Sequence, residues 1–352
     1  MQPKAPPASA LKEIGKPLDP ATQVTRVRFA LNGRVLAAAC FDGKVRLWDT
    51  TGQEPAEQKP LGGFNGWVTA LTFGVQQVFA ADSWGRLSAW RLGGPEPVAH
   101  WTAEAAHDGW VRSIAFDARA LAVASCGRDG FVRVWDRARG KKWHEFELKT
   151  DLLSVCFGPN GKTVLAGDLF GVVREVEIAS GKVVRTFEAK ELYKLDRIQD
   201  VGGVKCLLLS PDGKALLVGG AEPKTGGFVQ CVPLLIAFDY ETGKRRAQYK
   251  GANDNEGYVT DLAWHPDGFV IFTTSGQPGQ GKFHCWKPGT AAPFLSGGKL
   301  PNCHSVALHP DGARIAVSAT NANSSGNGRV KGAGGGYPEN TSPIQLWTVP
   351  KG

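Results

Sequence analysis

The sequence has few of the features that mark an exported, membrane-spanning or disulfide-built protein. Its 352 residues include 7 cysteines and a single methionine. The cysteines form no Cys-x-x-Cys pair, and most lie inside apparent strands, as at Cys40, Cys156, Cys206 and Cys285. An odd number of such residues indicates reduced, buried thiols and a cytoplasmic setting rather than a disulfide framework.

Long apolar runs are also missing. No stretch is long enough to cross a membrane, and no early segment has the apolar centre of a signal peptide. We therefore expect no membrane association. Residues 1–10 (MQPKAPPASA) contain almost nothing to bury, and we expect them to form a disordered tail.

Catalytic and metal-binding motifs are equally scarce. The sequence has no HExxH or GxSxG motif. The segment 158–163 (GPNGKT) would need a glycine at Cys156 to be a phosphate-binding loop. The grouped histidines and cysteines at 284–285, 303–304 and 309 do not have zinc-ligand spacing. We predict no enzyme activity, no metal site and no cofactor.

What the sequence does contain is a repeated strand. VRVWD at 132–136 has a near copy, VRLWD, at 45–49, and five looser copies. The bulky fourth positions of the seven copies are Trp48, Trp90, Trp135, Val176, Phe238, Trp286 and Trp347. A unit of about 40 residues cannot cover both of its faces alone, so neighbouring units must stack.

Tight-turn signals divide each repeat into hairpins. In the first repeat, Asn32-Gly33 and Asp42-Gly43 stand between β-rich runs, where both central residues of a tight turn need a positive φ angle. The first turn returns as Asp-Gly in the last three repeats, at 212–213, 267–268 and 311–312. The pattern predicts four short antiparallel strands in each unit.

These features resemble the WD-repeat β-propeller family, from about residue 11 to 352. The third repeat fits best, because His107, Ser125, Asp129 and Trp135 match the structural tetrad of that family. In the tetrad, a loop histidine, a turn aspartate, a serine or threonine and the tryptophan are hydrogen-bonded within one blade. The resemblance implies an all-β fold, a seven-bladed β-propeller with four-stranded blades.

The predicted blades form one domain that follows the tail. They lie near 24–64, 68–104, 111–149, 152–189, 204–250, 258–298 and 303–349. The seventh blade has no fourth strand of its own, and residues 11–18 (LKEIGKPL) are a spare one. We predict that 11–18 completes that blade and closes the ring, as in the family, which removes open sheet edges.

Additional residues fall in one sector of the propeller. From the first-turn glycine to the bulky position the regular distance is 15 residues, but it is 25, 18 and 35 in blades five, six and seven. A further long connection occupies 189–203. In the WD-repeat layout all four segments emerge on one face, here called the upper face. Binding residues concentrate in such loops, although surface loops also tolerate insertion cheaply.

The insertions contain apolar and aromatic residues suited to protein recognition. The candidate partner-binding residues are Leu192, Tyr193, Leu195, Arg197, Phe228, Tyr258, Arg329 and Tyr337. The segment 190–199 (KELYKLDRIQ) could form a short helix with Leu192, Leu195 and Ile198 on one side. That side could equally fold onto the propeller.

The sequence thus predicts a non-catalytic scaffold that binds another protein through the insertion-rich upper face of blades five to seven. We expect it to be a monomer alone or a subunit of a complex. A formal net charge of +8 leaves nucleic acid or another acidic polymer as an alternative partner, bound by the basic turn RARGKK at 137–142. Charges balance within the insertions, with seven basic and seven acidic residues. A catalytic propeller is the third interpretation.

Overall fold

The computed structural model describes residues 11–94, 96–224, 230–322 and 339–349. Within these ranges the chain forms 30 β-strands and one 3-10 turn, Lys190–Leu192. The strands make seven four-stranded antiparallel sheets and one small hairpin. The predicted all-β, seven-bladed propeller is therefore confirmed. The predicted tail at 1–10 lies outside the described residues.

The first four blades use four consecutive strands each. Blade 1 contains β2 (Val24–Phe29), β3 (Val35–Cys40), β4 (Val45–Asp49) and β5 (Ala56–Leu61). Blade 2 contains β6 (Val68–Gly74), β7 (Gln77–Asp82), β8 (Leu87–Arg91) and β9 (Val98–Ala103). Blade 3 contains β10 (Val111–Asp117), β11 (Ala122–Gly127), β12 (Phe131–Asp136) and β13 (Lys142–Glu147). Blade 4 contains β14 (Leu152–Phe157), β15 (Thr163–Asp168), β16 (Val172–Glu177) and β17 (Val183–Glu188).

The small hairpin, β18 (Tyr193–Asp196) and β19 (Gln199–Gly202), comes before the last three blades. Blade 5 contains β20 (Cys206–Leu209), β21 (Ala215–Pro223), β22 (Cys231–Asp239) and β23 (Arg245–Lys250). Blade 6 contains β24 (Tyr258–Trp264), β25 (Val270–Ser275), β26 (Gly281–Trp286) and β27 (Leu295–Leu300). Blade 7 contains β28 (Cys303–Leu308), β29 (Arg314–Ala319), β30 (Ile344–Thr348) and β1 (Glu13–Leu18).

The first strand of each blade lies at the centre of the ring. The strands β2, β6, β10, β14, β20, β24 and β28 contact one another in that order, and β28 contacts β2 again. They therefore surround a central channel. The remaining strands of each blade follow outward, so the fourth strand is the most exposed.

The ring is closed by strands from opposite ends of the chain. β1 pairs antiparallel with β30, with Glu13 opposite Trp347 and Leu18 opposite Ile344. Ile14 and Leu18 pack on a core shared by blades 7 and 1, which contains Trp48. The predicted closure is confirmed, and its physical reason is that β30 would otherwise present an unpaired edge.

The hydrophobic core is divided among the interfaces between blades. One such core joins Val45 and Leu47 of blade 1 to Leu71, Phe73 and Trp90 of blade 2. Burying one such side chain stabilises the fold by about 1.5–3 kcal/mol. Each blade thus depends on its two neighbours for most of its stability.

Polar contacts also fasten blades 1, 6 and 7 together. The Arg28 guanidinium makes two hydrogen bonds to the Asp261 carboxylate, at 2.6 and 3.0 Å. Asp261 is buried and also accepts a hydrogen bond from the Ser305 hydroxyl. Burial raises the pKa of Asp261, but Arg28 and Arg26 hold it below its ordinary value. The carboxylate therefore stays charged and links three innermost strands.

On the lower face, two histidines fasten successive first turns. His265 Nε2 donates to the carbonyl oxygen of Gly312 at 2.6 Å, and His309 Nε2 donates to that of Gly33 at 3.0 Å. Each histidine begins a His-Pro-Asp-Gly turn. The turn of blade 6 thus holds that of blade 7, which holds that of blade 1.

Two insertions form strands instead of loops or a helix. In blade 5 the second hairpin is lengthened, and β21 pairs with β22 from Ala215–Asp239 to Pro223–Cys231. The suggested helix at 190–199 is wrong, because only Lys190–Leu192 forms a 3-10 turn before the β18–β19 hairpin. The hairpin reverses direction at Arg197, which has a positive φ angle of 56°.

Candidate interaction surface

The predicted tetrad residues lie together inside blade 3. His107 Nδ1 is 2.9 Å from Asp129 Oδ1, and His107 Nε2 is 2.7 Å from Ser125 Oγ. Trp135 Nε1 donates to the same serine oxygen at 2.9 Å. Burial lowers the pKa of His107, although Asp129 partly offsets this. These hydrogen bonds tie the connection before the blade to its second and third strands, and we interpret them as structural.

A related chain occupies blade 6. His284 Nε2 lies 2.7 Å from Glu256 Oε1, and His284 Nδ1 lies 2.7 Å from Ser296 Oγ. His284 stands two residues before Trp286, as Arg133 stands two before Trp135. Lys282 also pairs with Glu256 at 3.2 Å. Because these bonds tie the connection before the blade to its third and fourth strands, we interpret them as structural.

The predicted partner-binding residues do not form one surface. Leu192 is fully buried beneath blade 5, against Val218 and Ile236, so its assignment to an exposed binding surface is wrong. Tyr258 lies away from the insertions and lines the central channel. Phe228, Arg329 and Tyr337 lie outside the described residues.

Three of the predicted residues do lie together, on the β18–β19 hairpin. Its side chains become more exposed toward the tip, with Leu195 at 59% and Ile198 at 93%. Arg197 is also exposed. At the base, Tyr193 packs edge-to-face on Phe170 of blade 4, with ring centroids 5.0 Å apart. The hairpin presents an aliphatic tip on an aromatic base.

An aromatic rim over blades 1 to 3 was missed by the sequence reasoning. Phe41 and Trp67 stack with centroids 4.6 Å apart, and Trp67 meets Trp110 edge-to-face at 5.7 Å. These three rings and Trp84, which is 69% exposed, line a cavity of about 460 Å³. A signal was present, since Gly-Trp-Val occurs where two innermost strands begin, at 66–68 and 109–111.

The basic turn at 137–142 lies on the opposite face, between β12 and β13. Two of its cations have local partners, because Arg137 donates to Gln77 at 3.1 Å and Lys142 lies 2.7 Å from Glu145. Trp143, beside the turn, is 44% exposed. The turn therefore offers an aromatic side chain that the sequence reasoning overlooked, but fewer unpaired charges than its composition suggested.

The described residues provide no cluster of three or more histidine, cysteine or acidic side chains able to hold a metal ion. They also include no helix that is long and apolar enough to span a membrane. The described side chains of the upper face are aromatic rings, the apolar tip of the hairpin and charged groups.

Comparison with known families agrees with this architecture. The family model described as "WD domain, G-beta repeat" matches residues 16–49, 97–136 and 243–287. The three matches fall on blades 1, 3 and 6 with parts of the neighbouring strands. The chain is thus a seven-bladed β-propeller that contains WD repeats.

Similar proteins include one long match and several short ones. Telomerase protein component 1 of Rattus norvegicus is 25% identical over 301 residues, which cover 83% of this chain and 10% of the relative. Small ribosomal subunit protein RACK1z of Arabidopsis thaliana is 35% identical over 68 residues, covering 19% of this chain and 21% of the relative. Ribosome biogenesis protein erb1 of Neurospora crassa is 42% identical over 57 residues, covering 16% and 7%. The chain thus matches only a small part of each relative.

Proposed function

We propose that this chain is a non-catalytic scaffold that binds another protein through the insertion-rich upper face of blades 5 to 7. The observation that carries the proposal is the β18–β19 hairpin, whose Leu195 and Ile198 are 59% and 93% exposed. Side chains this exposed contribute little to folding. Apolar groups at the tip of a hairpin can fill a pocket on a partner, where interface energy concentrates.

Several further observations support a protein partner. The names of the relatives place them in or near large assemblies, namely the small ribosomal subunit, ribosome biogenesis and telomerase. The predicted insertions carry balanced charge, which suits a mixed protein interface better than a polyanion. Seven buried or half-buried thiols agree with the predicted cytoplasmic setting.

The proposal is tested with a pair of matched charge-introducing variants. Full-length tagged protein is used to recover the partner, and the dissociation constant is then measured with purified components. We expect Leu195→Asp with Ile198→Asp to weaken binding by about 30-fold or more, as for an interface hot spot worth about 2 kcal/mol. Leu31→Asp is the control, because Leu31 is 57% exposed in the first turn of blade 1, on the lower face.

The same measurement distinguishes a protein partner from a nucleic acid. If affinity is unchanged in the hairpin variant, the hairpin is not the binding site. If Arg137, Arg139 and Lys141 carry the affinity instead, and binding to duplex DNA falls steeply between two salt concentrations, the chain is a nucleic-acid binder. Thermal melting of each variant separates lost binding from lost folding.

A further inference from the structure

Seven residues, each in or directly before the innermost strand of its blade, lie together at the upper mouth of the channel. Each of these residues follows a fully buried residue, the first of which are Val24, Val68 and Val111. Together they line one cavity of about 320 Å³. The seven residues are Thr25, Thr69, Arg112, Leu153, Lys205, Thr260 and His304.

The lining of this cavity has an excess of positive charge. Arg26, Arg112 and Lys205 contribute to it, and no described aspartate or glutamate does. Arg112 is paired with Asp151 at 3.0 Å. The Arg26 guanidinium instead meets backbone carbonyl oxygens, those of Thr260 at 3.2 Å and His304 at 3.4 Å.

These cations are partly withdrawn from water. Burial and the nearby Arg112 lower the pKa of Lys205, although Asp151 partly offsets this. Burial and Arg26 lower the pKa of His304 to about 4, so this ring is neutral near pH 7. The cavity thus places positive charges near one another where solvent screens them weakly. An anionic oxygen group at this place would relieve their repulsion and accept charge-assisted hydrogen bonds from Arg26 and Lys205.

The surroundings indicate how that anion is presented. Phe41 and Trp110 line both the channel mouth and the cavity of the aromatic rim. The two cavities beside the mouth add no excess of positive charge, because one contains Asp42 and the other contains two aspartates and two arginines. A polymer with a phosphate at every unit would need such charge along its path. The site therefore suits one anionic group with apolar neighbours.

We propose that the channel mouth binds an anionic side chain, carboxylate or phosphate, of a protein segment that lies across the aromatic rim. This inference rests on the proposed protein-binding function and adds the chemistry of the partner. Arg26 and Lys205 hold the anion, and Trp110, Trp67 and Phe41 contact the residue beside it. Arg112 is a positioning residue, because its guanidinium also lies 4.6 Å from the Trp110 ring centroid.

The test uses the full chain and defined peptides. Acetyl-Phe-X-Gly-Gly-amide is titrated calorimetrically with X as phosphoserine, glutamate or serine, and inorganic phosphate is titrated in parallel. We expect saturable binding of at least one charged peptide and none of the serine peptide. The two charged arms show whether the natural group is a phosphate or a carboxylate.

Matched lysine variants test the position of the site. Lys205→Met keeps the aliphatic stem and should weaken the charged peptide about tenfold, which corresponds to about 1.4 kcal/mol. Lys141→Met removes the same charge from the exposed turn on the lower face and should leave the affinity unchanged. In wild-type crystals soaked with selenate, we expect an anomalous peak beside Arg26 and Lys205, a readout that does not depend on the variant folding.

Three results would overturn the proposal. These are equal binding of serine and charged peptides, equal weakening by the two lysine variants, and binding of phosphate with rejection of both charged peptides. The scaffold function is tested separately. Suppose that the Leu195→Asp/Ile198→Asp variant loses binding of the isolated partner while Lys205→Met binds it with wild-type affinity. That result would support the scaffold function and refute the anion site.

Discussion

Individual residues in this propeller are constrained where one blade touches the next. Gly33 is a clear case, because it has a φ angle of +71° and receives the hydrogen bond from His309. A Cβ at Gly33 would lie 2.4 Å from His309 Nε2, inside any allowed contact. The sequence predicted a glycine turn here from Asn-Gly, but not the contact with a residue 276 positions later.

We expect Gly33→Ala to destabilise the protein more than Gly243→Ala. Gly243 has φ +70° and no atom within 4 Å of an added Cβ, so its replacement costs only the backbone strain, about 1–2 kcal/mol. Gly33→Ala adds the displacement of His309, about 1–3 kcal/mol more. Urea unfolding of the two variants measures the difference. Equal losses would show that the histidine moves aside freely.

Buried histidines should make the protein sensitive to mild acid. The pKa of His107 and His304 is lowered in the folded state, to about 4 for His304, whereas a histidine in the unfolded chain has about 6.5. As the pH falls below 6.5 the unfolded state takes up protons first, so stability is lost between pH 6.5 and the folded-state pKa.

His304→Gln isolates one of these titrations. Glutamine can keep the hydrogen bond to Thr320 but does not titrate in this range. We expect the urea midpoint of the variant to change less between pH 7 and 5 than that of the wild type. His144→Gln, on the outer strand β13, serves as the control. Parallel pH curves for wild type and His304→Gln would contradict the assignment.

Among the elements, strands with regular spacing could be predicted and irregular ones could not. The Trp strands and Asp-Gly turns follow from local chemistry, since positive φ angles and alternate burial are properties of a few neighbouring residues. The 190–199 segment misled the prediction, because its apolar spacing fits a helix although it forms a hairpin. The choice there depends on Leu192 finding a buried place under blade 5, which the local sequence does not contain.

The contribution of β1 to ring closure can be tested by truncation. Deleting residues 1–20 should expose the β30 edge and cause aggregation, whereas deleting 1–10 should barely change the melting temperature. Scanning calorimetry and light scattering measure both truncations. If the longer truncation melts like the full chain, β1 does not secure the ring.

For the whole molecule, the fold could be predicted because seven copies of one pattern reinforce each other. The recognition surface could not, since it is assembled from residues far apart in the chain. At the channel mouth, Arg26, Arg112 and Lys205 come from three different blades. Nothing in a single repeat marks Thr25 and Lys205 as neighbours around one opening.

Because the cysteines are spread over the blades, they can show whether the ring unfolds as one cooperative unit. All seven are in the described residues, none is in a disulfide, and burial raises the pKa of each. They lie in every blade except the second. We expect no reaction of the native protein with a thiol reagent at pH 8, and seven modified sites after unfolding in guanidinium.

Mass spectrometry during slow unfolding then shows whether blades open separately. A closed ring in which each blade is held by two neighbours should open as one unit, giving only unmodified and sevenfold-modified chains. An intermediate modified at Cys285 and Cys303 alone would instead show that blades 6 and 7 open first. That result would contradict cooperative unfolding of the ring.

The pairing of β1 with β30 also implies a delay during translation. Leu18 lies opposite Ile344, so the ribosome adds 325 residues between the two partners. At roughly 5–20 residues per second, β1 waits between about 15 and 65 s before β30 exists. During that interval β1 is a strand without a sheet, and Lys16 and Pro17 within it discourage pairing with other nascent chains. Although β1 is made before the other strands of the blades, it is thus among the last to pair, and its composition suits the delay.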